Sequence, residues 1–133
     1  EIGKGVQLRD GNDVTIIATG VMVAKALEAS DVLAKENISA RVINMSTIKP
    51  IDKEIIIKAA KETKGIITVE EHNIIGGLGS AVAEVLVENY PARMIRIGTM
   101  DTFGESGDAN QLLDKYGLSV ENIVNKAKEV LNR

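Results

Sequence analysis

Three ionisable side chains stand together where a short β-rich run ends: Glu70, Glu71 and His72. Two carboxylates beside an imidazole are residue types that carry general acid–base chemistry or bind a metal ion. Neighbouring strand residues point to opposite faces, so the two glutamates are not expected to converge on one ion while the strand continues. His72 is the only histidine in the chain, and a metal site would need further ligands. His72 is therefore predicted to be a surface or interface residue, and no metal-binding residue is assigned.

The glycine-rich turn that follows suggests a second kind of chemistry, a dinucleotide site. Gly77 and Gly79 form a G-x-G pattern after a strand, and Asp101 follows the next predicted strand, where an acid that binds ribose is expected. The final glycine of that fingerprint is missing at residues 81–82, and the two glutamates before the turn would repel a pyrophosphate. The alternative is that the glycines let a tight turn pack closely against a neighbouring backbone. The sequence favours packing and leaves a nucleotide-binding module as an alternative.

A second polar cluster spans residues 101–106 and contains Phe103, the only phenylalanine of the chain. An aromatic ring in a glycine-flanked loop is typical of an anchor at an interface, although it can also lie under its own loop. No serine, lysine or threonine shows the base and orienting partner that nucleophilic catalysis requires. No catalytic residue is therefore assigned, and the chain is interpreted as an assembly or support domain.

The composition is that of a soluble globular protein. Apolar residues make up 44% of 133 positions, which predicts one domain over residues 1–133 with a core large enough to fold. The absence of cysteine suits a cytoplasmic protein. A net charge of −3 argues against nucleic acid as a partner, and no apolar run approaches the roughly 20 residues that span a membrane. The chain begins at Glu1 and not at methionine, so we expect an excised domain or a processed product.

Strand patterns alternate with helical patterns along the chain, which predicts a three-layer α/β/α sandwich. The buried stripe of the first helix is placed at Val23, Leu27, Ser30 and Ala34, with Ala26 and Leu33 beside it. Strands are predicted at residues 6–9, 14–18, 38–45, 66–69 and 94–97. Helices are predicted at residues 21–36, between Asp52 and Gly65, from the glycine turn to Asn89, between Asp108 and Gly117, and after Ser119. Asp52 and Ser119 are predicted to cap the start of their helices, and Asn37 is predicted to stop the first helix in a left-handed conformation.

Four segments in the same order resemble the C-terminal domain of transketolase. They are DVTIIATG at residues 13–20, RVINMSTIKPID at residues 41–52, VEEHNIIGGLGSAVAEVL at residues 69–86 and DTFGESG at residues 101–107. The likeness runs from about Val6 to Leu131 and is greatest to the C-terminal section of two-subunit transketolases. Deoxyxylulose phosphate synthase and the β subunits of 2-oxoacid dehydrogenases use a similar domain.

The resemblance implies a five-stranded sheet of order 1-3-2-4-5 with its first strand antiparallel to the rest. It also implies a parent enzyme of the pentose phosphate pathway that moves two-carbon ketol units between sugar phosphates with thiamine diphosphate and Mg²⁺. In that family the cofactor lies between the diphosphate-binding and pyrimidine-binding domains, so no cofactor site is expected within this chain. The isolated chain is expected to be inactive, and the domain is expected to support a homodimer.

The glycine turn and the second polar cluster are predicted to form the docking surface for the other domains, because glycine and polar density at strand ends has no other evident purpose. A nucleotide-binding module and a free-standing self-association domain are the rival interpretations. The predicted docking residues are His72, Asn73, Gly76, Gly77, Leu78, Gly79, Ser80, Asp101, Phe103, Gly104, Glu105 and Ser106.

Overall fold

A computed structural model describes residues 3–73, 77–99 and 117–132 of the chain. The strands are β1 (Val6–Arg9), β2 (Val14–Ala18), β3 (Ala40–Asn44), β4 (Ile66–Asn73) and β5 (Met94–Thr99), and the helices are α1 (Met22–Lys35), α2 (Lys53–Glu62), α3 (Leu78–Asn89) and α4 (Val120–Leu131). The helix predicted between Asp108 and Gly117 lies outside the described residues.

The five strands form one sheet in the order β1-β3-β2-β4-β5. The edge strand β1 runs antiparallel to β3, and every other neighbouring pair is parallel. Both the strand order and the direction of β1 are therefore confirmed. All five residues of the central strand β2 are buried, as expected for a parallel strand covered on both faces.

Two apolar cores lie on opposite faces of the sheet. One contains Ile16 and Val42 together with buried residues of α1 and α4, and the other contains Ile17 and Ile43 together with buried residues of α2 and α3. Strand residues alternate between the two cores because successive side chains of a strand point to opposite faces. The predicted three-layer α/β/α sandwich is thereby confirmed. None of the described helices is long and apolar enough to cross a membrane.

Helix boundaries follow the predicted capping residues. The Asp52 side chain accepts a hydrogen bond from the Ile55 amide at the start of α2, and Ser119 does the same for Asn122 at the start of α4. After α1, Asn37 adopts a left-handed conformation with φ of 63°, which stops the helix.

Two local predictions need correction. The buried face of α1 is formed by Met22, Ala26, Ala29, Ser30 and Leu33, whereas Ala34 is exposed. Val23 and Leu27 of the predicted stripe are half-buried and pack against the same core. The small alanines let the helix lie close to the sheet, so the fully buried face is rotated towards them. Strand β4 is also longer than residues 66–69 and includes both glutamates.

Candidate functional site

The buried carboxylate of Glu70 caps the N-terminus of α3. Its Oε1 accepts a 2.7 Å hydrogen bond from the Leu78 amide, and its Oε2 accepts one of 2.7 Å from the Gly79 amide. The residue before the helix, Gly77, has no side chain that can cap these donors. Glu70 therefore acts as the N-cap from a neighbouring strand, and its negative charge lies at the positive end of the helix dipole.

This pair of hydrogen bonds connects the carboxyl end of β4 to the first turn of α3. Glu70 is only 2% exposed, and Leu78 is fully buried among the apolar residues of α2, α3 and the sheet. Because charge-assisted hydrogen bonds are shorter and stronger than neutral ones, they hold both elements in fixed relation on either side of the glycine turn. The end of β4 and the start of α3, which flank the glycine turn, are thus held in position by buried hydrogen bonds.

Gly79 brings the first turn of α3 against the sheet. A Cβ built at Gly79 would lie 2.8 Å from Arg96 Cδ on β5 and 3.0 Å from Thr68 Oγ1 on β4. The prediction of close packing holds, but the neighbours are side chains of two strands and not a backbone. The Thr68 hydroxyl is buried and has no hydrogen-bond partner among the described residues.

Glu71 points away from Glu70, as the strand pattern predicts. Glu71 is half-buried, and its Oε1 lies 3.6 Å from the position of a Cβ built at Gly20, in the turn between β2 and α1. The two carboxylates therefore do not share one site. Among the residues that the structure describes, no group of three histidine, cysteine, aspartate or glutamate side chains is placed to hold a metal ion.

The structure describes only part of the predicted docking surface. His72 and Asn73 belong to β4, Leu78 and Gly79 are buried within the fold, and Gly77 and Ser80 are half-buried. Six further residues of the prediction lie outside the described part of the chain: Gly76, Asp101, Phe103, Gly104, Glu105 and Ser106.

The first two amides of α3 are not open donors of the kind that a dinucleotide site needs. In such a site the amide groups at the helix N-terminus donate to a pyrophosphate. Here the amides of Leu78 and Gly79 already donate to Glu70. A phosphate approaching the same donors would have to displace a buried carboxylate of like charge. The geometry therefore speaks against the nucleotide-binding alternative at this turn.

A groove runs along the other side of α3, between the helix and the segment that follows β3. Its volume is about 350 Å³, and it reaches from Gly77 and Ser80 to Glu88. Ile48, Lys49, Ile51 and Lys53 form the wall opposite the helix. Lys49, Lys53, Glu84 and Glu88 are all exposed. This depression is called the α3 groove below.

The sequence matches the family model described as transketolase, C-terminal domain, over residues 3–123. The chain belongs to the transketolase C-terminal domain family. A solved relative, a split-gene transketolase in an inactive β4 tetramer, is 49% identical and superposes with a TM-score of 0.94 over 98% of this chain and 43% of that one. The predicted family and its fold are therefore confirmed.

Curated relatives of this transketolase C-terminal domain include two subunit-sized proteins. A putative transketolase C-terminal section of Methanocaldococcus jannaschii is 51% identical over 100% of this chain and 42% of its own length. The 6-deoxy-6-sulfo-D-fructose transketolase subunit SqwH of Clostridium sp. strain MSTE9 is 48% identical over 99% of this chain and 41% of its own length. The chain thus spans about two fifths of these relatives.

Relatives also occur in longer enzymes. A 1-deoxy-D-xylulose-5-phosphate synthase of Heliobacterium modesticaldum is 47% identical over 97% of this chain but is matched over only 20% of its own length. The same domain is therefore present in proteins with different names and reactions, so the family alone does not define a substrate.

The role of the residue that organises this site was not predicted from the sequence. Glu70 was considered as an acid, a base or a metal ligand, whereas it serves as a cap eight residues before its first donor. The available signal was the start of α3 at Gly77, Leu78 and Gly79, which offers no polar side chain as a cap and requires a partner from elsewhere.

Proposed function

We propose that this chain is the non-catalytic C-terminal domain of a split transketolase, and that it supports assembly of the enzyme. The observation that carries the proposal is the match over nearly the whole chain to subunits that are more than twice as long. In the proposed parent enzyme, two-carbon ketol units move between sugar phosphates, and other domains or a partner subunit hold thiamine diphosphate and Mg²⁺.

The described chemistry of the chain agrees with a supporting role. Glu70 is fully engaged by backbone amides, and Glu71 lies away from it. Neither carboxylate is therefore available beside the other for acid–base work on a bound substrate. The cofactor site is accordingly assigned to the remainder of the enzyme and not to this domain.

The proposed docking surface is the glycine turn after β4 together with the polar cluster at residues 101–106. The support is positional, because the carboxyl ends of parallel strands are where open α/β sheets usually meet ligands and partners. The hydrogen bonds to Glu70 fix the start of α3 beside this surface. Gly77 and Ser80, at the start of the helix, are half-buried and so remain partly accessible. The domain is also proposed to take part in a homodimer.

The sugar substrates belong to the parent enzyme. One relative carries 6-deoxy-6-sulfo-D-fructose in its name, so membership of the family does not imply the pentose phosphate pathway. The same domain in a deoxyxylulose phosphate synthase is the second candidate, and it is favoured by the 47% identity to such an enzyme. The share of the relative that is matched, 42% against 20%, favours a two-subunit transketolase.

Calorimetry with thiamine diphosphate and Mg²⁺ tests where the cofactor binds. We expect no saturable heat with this chain alone and saturable binding once the diphosphate-binding and pyrimidine-binding domains are added. Saturable binding of thiamine diphosphate, a flavin or an adenine nucleotide by the chain alone would refute the proposal.

A docking variant tests the proposed surface. Ser80→Arg places a long charged side chain in the first turn of α3, beside the glycine turn, so the dissociation constant for the cofactor-binding domains should rise at least about tenfold and co-elution should be lost. Ala24→Arg, at an exposed position of α1 on the opposite face of the sheet, is the matched control and should leave co-elution unchanged. Equal behaviour of both variants would remove the turn from the docking surface.

A further inference from the structure

Asp52 binds two separate parts of the chain with its two carboxylate oxygens. Its Oδ1 accepts a 3.3 Å hydrogen bond from the Ile55 amide and caps α2, whereas its Oδ2 accepts a 2.9 Å hydrogen bond from the Gly5 amide, 47 residues earlier in the sequence. Asp52 is only 8% exposed. A helix cap needs one oxygen, and Ser119 caps α4 with its single hydroxyl. The second oxygen of Asp52 therefore serves residues 3–5, which are called the entry segment below.

Two glycines let the entry segment lie closely against the start of α2. Gly3 has a φ of 81°, which other residues adopt only under strain, and a Cβ built there would lie 3.2 Å from Pro50 Cγ. A Cβ built at Gly5 would lie 3.0 Å from Met45 Cε and 3.2 Å from Ile55 Cγ2. Glycines in a free linker make it flexible. Here both glycines are required by a close approach, so the fold itself holds the entry segment.

The entry segment lies at the edge of the sheet where the parallel strands end. Val6, the first residue of β1, pairs with Asn44, the last residue of β3. Because β2, β3, β4 and β5 run parallel, the glycine turn after β4 lies at the same edge. The entry segment thus reaches the domain at the edge that carries the proposed docking surface.

The relatives named above are more than twice as long as this chain, and the matched family is described as a C-terminal domain. In the proposed parent subunit, a preceding domain is therefore joined to this one through the entry segment. We propose that Asp52 is a positioning residue, which anchors the entry segment and so holds the preceding domain beside the docking surface. Such an anchor lowers the conformational entropy that is lost when the enzyme assembles, because the preceding domain is already placed.

The alternative is that Asp52 serves only the sheet. Strand β1 already pairs with β3 through Val6, Gln7 and Arg9, and the bond to Asp52 comes from Gly5, before the strand begins. The anchor therefore acts on the incoming chain upstream of the sheet pairing. A role limited to the sheet predicts no effect of Asp52 on assembly, and that difference can be measured.

This role for Asp52 deepens the proposed function and rests on it. Two readouts keep the two claims apart. If the full-length subunit does not bind its partner subunit, the proposed function fails, whereas the accessibility of the entry segment still decides whether Asp52 anchors it.

Limited digestion of the full-length subunit with trypsin tests the anchor. Trypsin cuts after lysine, and Lys4 is exposed, but the bond between Lys4 and Gly5 becomes accessible only when the entry segment leaves Asp52. Asp52→Ser keeps a hydroxyl that can cap α2 and removes the acceptor for Gly5. Cleavage after Lys4, followed by mass spectrometry, should be at least about tenfold faster in this variant.

The dissociation constant for the partner subunit tests the positioning role. Asp52→Ser should raise this constant at least about tenfold, because a loosened preceding domain must be ordered when the enzyme assembles. Gly3→Ala should change both measurements in the same direction, since alanine is strained at a φ of 81°.

Matched controls lie at the opposite edge of the sheet, where the parallel strands begin. Asp13→Ser removes a carboxylate oxygen that accepts a 2.7 Å hydrogen bond from the Ser39 amide, and Asn37→Ala strains a residue with a φ of 63°. Both variants should match the unmodified subunit in cleavage after Lys4 and in the dissociation constant, with folding checked by circular dichroism.

Three results would overturn the role proposed for Asp52. The first is an unmodified subunit that is cut after Lys4 as fast as the Asp52→Ser variant. The second is faster cleavage with an unchanged dissociation constant, which would limit Asp52 to the sheet. The third is a pair of control variants that change both measurements as strongly as Asp52→Ser does.

Discussion

Glu70 Oε1 accepts a 2.7 Å hydrogen bond from the amide of Leu78, eight residues further along the chain. The same carboxylate accepts a second bond from Gly79, so one buried side chain satisfies two donors at the start of α3. This relationship explains how a helix with a glycine N-cap begins at a defined residue. It also accounts for a buried acid in a strand, where an unpaired carboxylate would be costly.

Glu70→Gln should destabilise the fold by about 2 kcal/mol, because the amide nitrogen of glutamine cannot accept a hydrogen bond and one helix donor is left unpaired. The measurement is the free energy of unfolding from urea titration. Glu71→Gln is the control at the neighbouring, half-buried position and should change stability by less than about 0.5 kcal/mol. Equal effects of the two substitutions would contradict the capping role of Glu70.

Thr68→Val should stabilise the chain by about 1 kcal/mol, because the Thr68 hydroxyl is buried without a hydrogen-bond partner in the described part of the chain and valine removes that polar atom. Thr15→Val gives the opposite comparison in the same sheet. Thr15 Oγ1 is also buried but lies 2.8 Å from Thr63 Oγ1, so its loss should destabilise by about 1 kcal/mol. Urea midpoints of both variants should therefore move in opposite directions, and a shared direction would refute this reading of the two hydroxyls.

Arg41→Met should destabilise the fold by about 2 kcal/mol, since a buried, paired guanidinium leaves its acceptors unsatisfied when it is removed. Arg41 Nε donates to the Gly11 carbonyl at 3.1 Å, and its Nη2 lies 2.8 Å from Glu62 Oε1. The measurement is the midpoint of thermal unfolding followed by circular dichroism.

Arg9→Met serves as the control for the Arg41 substitution. Arg9 pairs with Asp31 at 2.6 Å, but both side chains are substantially exposed, so the cost should be below about 1 kcal/mol. A larger loss at Arg9 than at Arg41 would show that burial does not govern the contribution of these ion pairs.

The sheet was predictable because its strands carry strong local signals. Residues 14–18 form a nearly continuous apolar run, which is typical of a covered parallel strand, and β2 has these bounds. Asp52 and Ser119 were predictable as caps because their residue types stand directly before a helical pattern, and the structure confirms that each accepts a hydrogen bond from an amide three residues further along. The order of the strands came from the family resemblance, since pairing between distant segments leaves no local pattern.

The features that sequence reasoning missed depend on contacts between separate elements. Glu70 was considered as a reactive group because it stands beside Glu71 and His72. Its role as a cap was not recognised because the amides that it binds lie beyond the glycine turn. The buried face of α1 was centred on Val23 and Leu27 because valine and leucine look more apolar than alanine, whereas the small side chains of Ala26 and Ala29 permit the closest packing on a sheet. The α3 groove was not predicted, because its charged walls come from segments about thirty residues apart that meet only in the fold.

The most direct test of the supporting role is ketol transfer between sugar phosphates, measured with thiamine diphosphate and Mg²⁺ present. We predict no turnover above the uncatalysed rate with this chain alone, and turnover when the diphosphate-binding and pyrimidine-binding domains of the parent enzyme are supplied with it. Turnover by the purified chain without those domains would contradict the account.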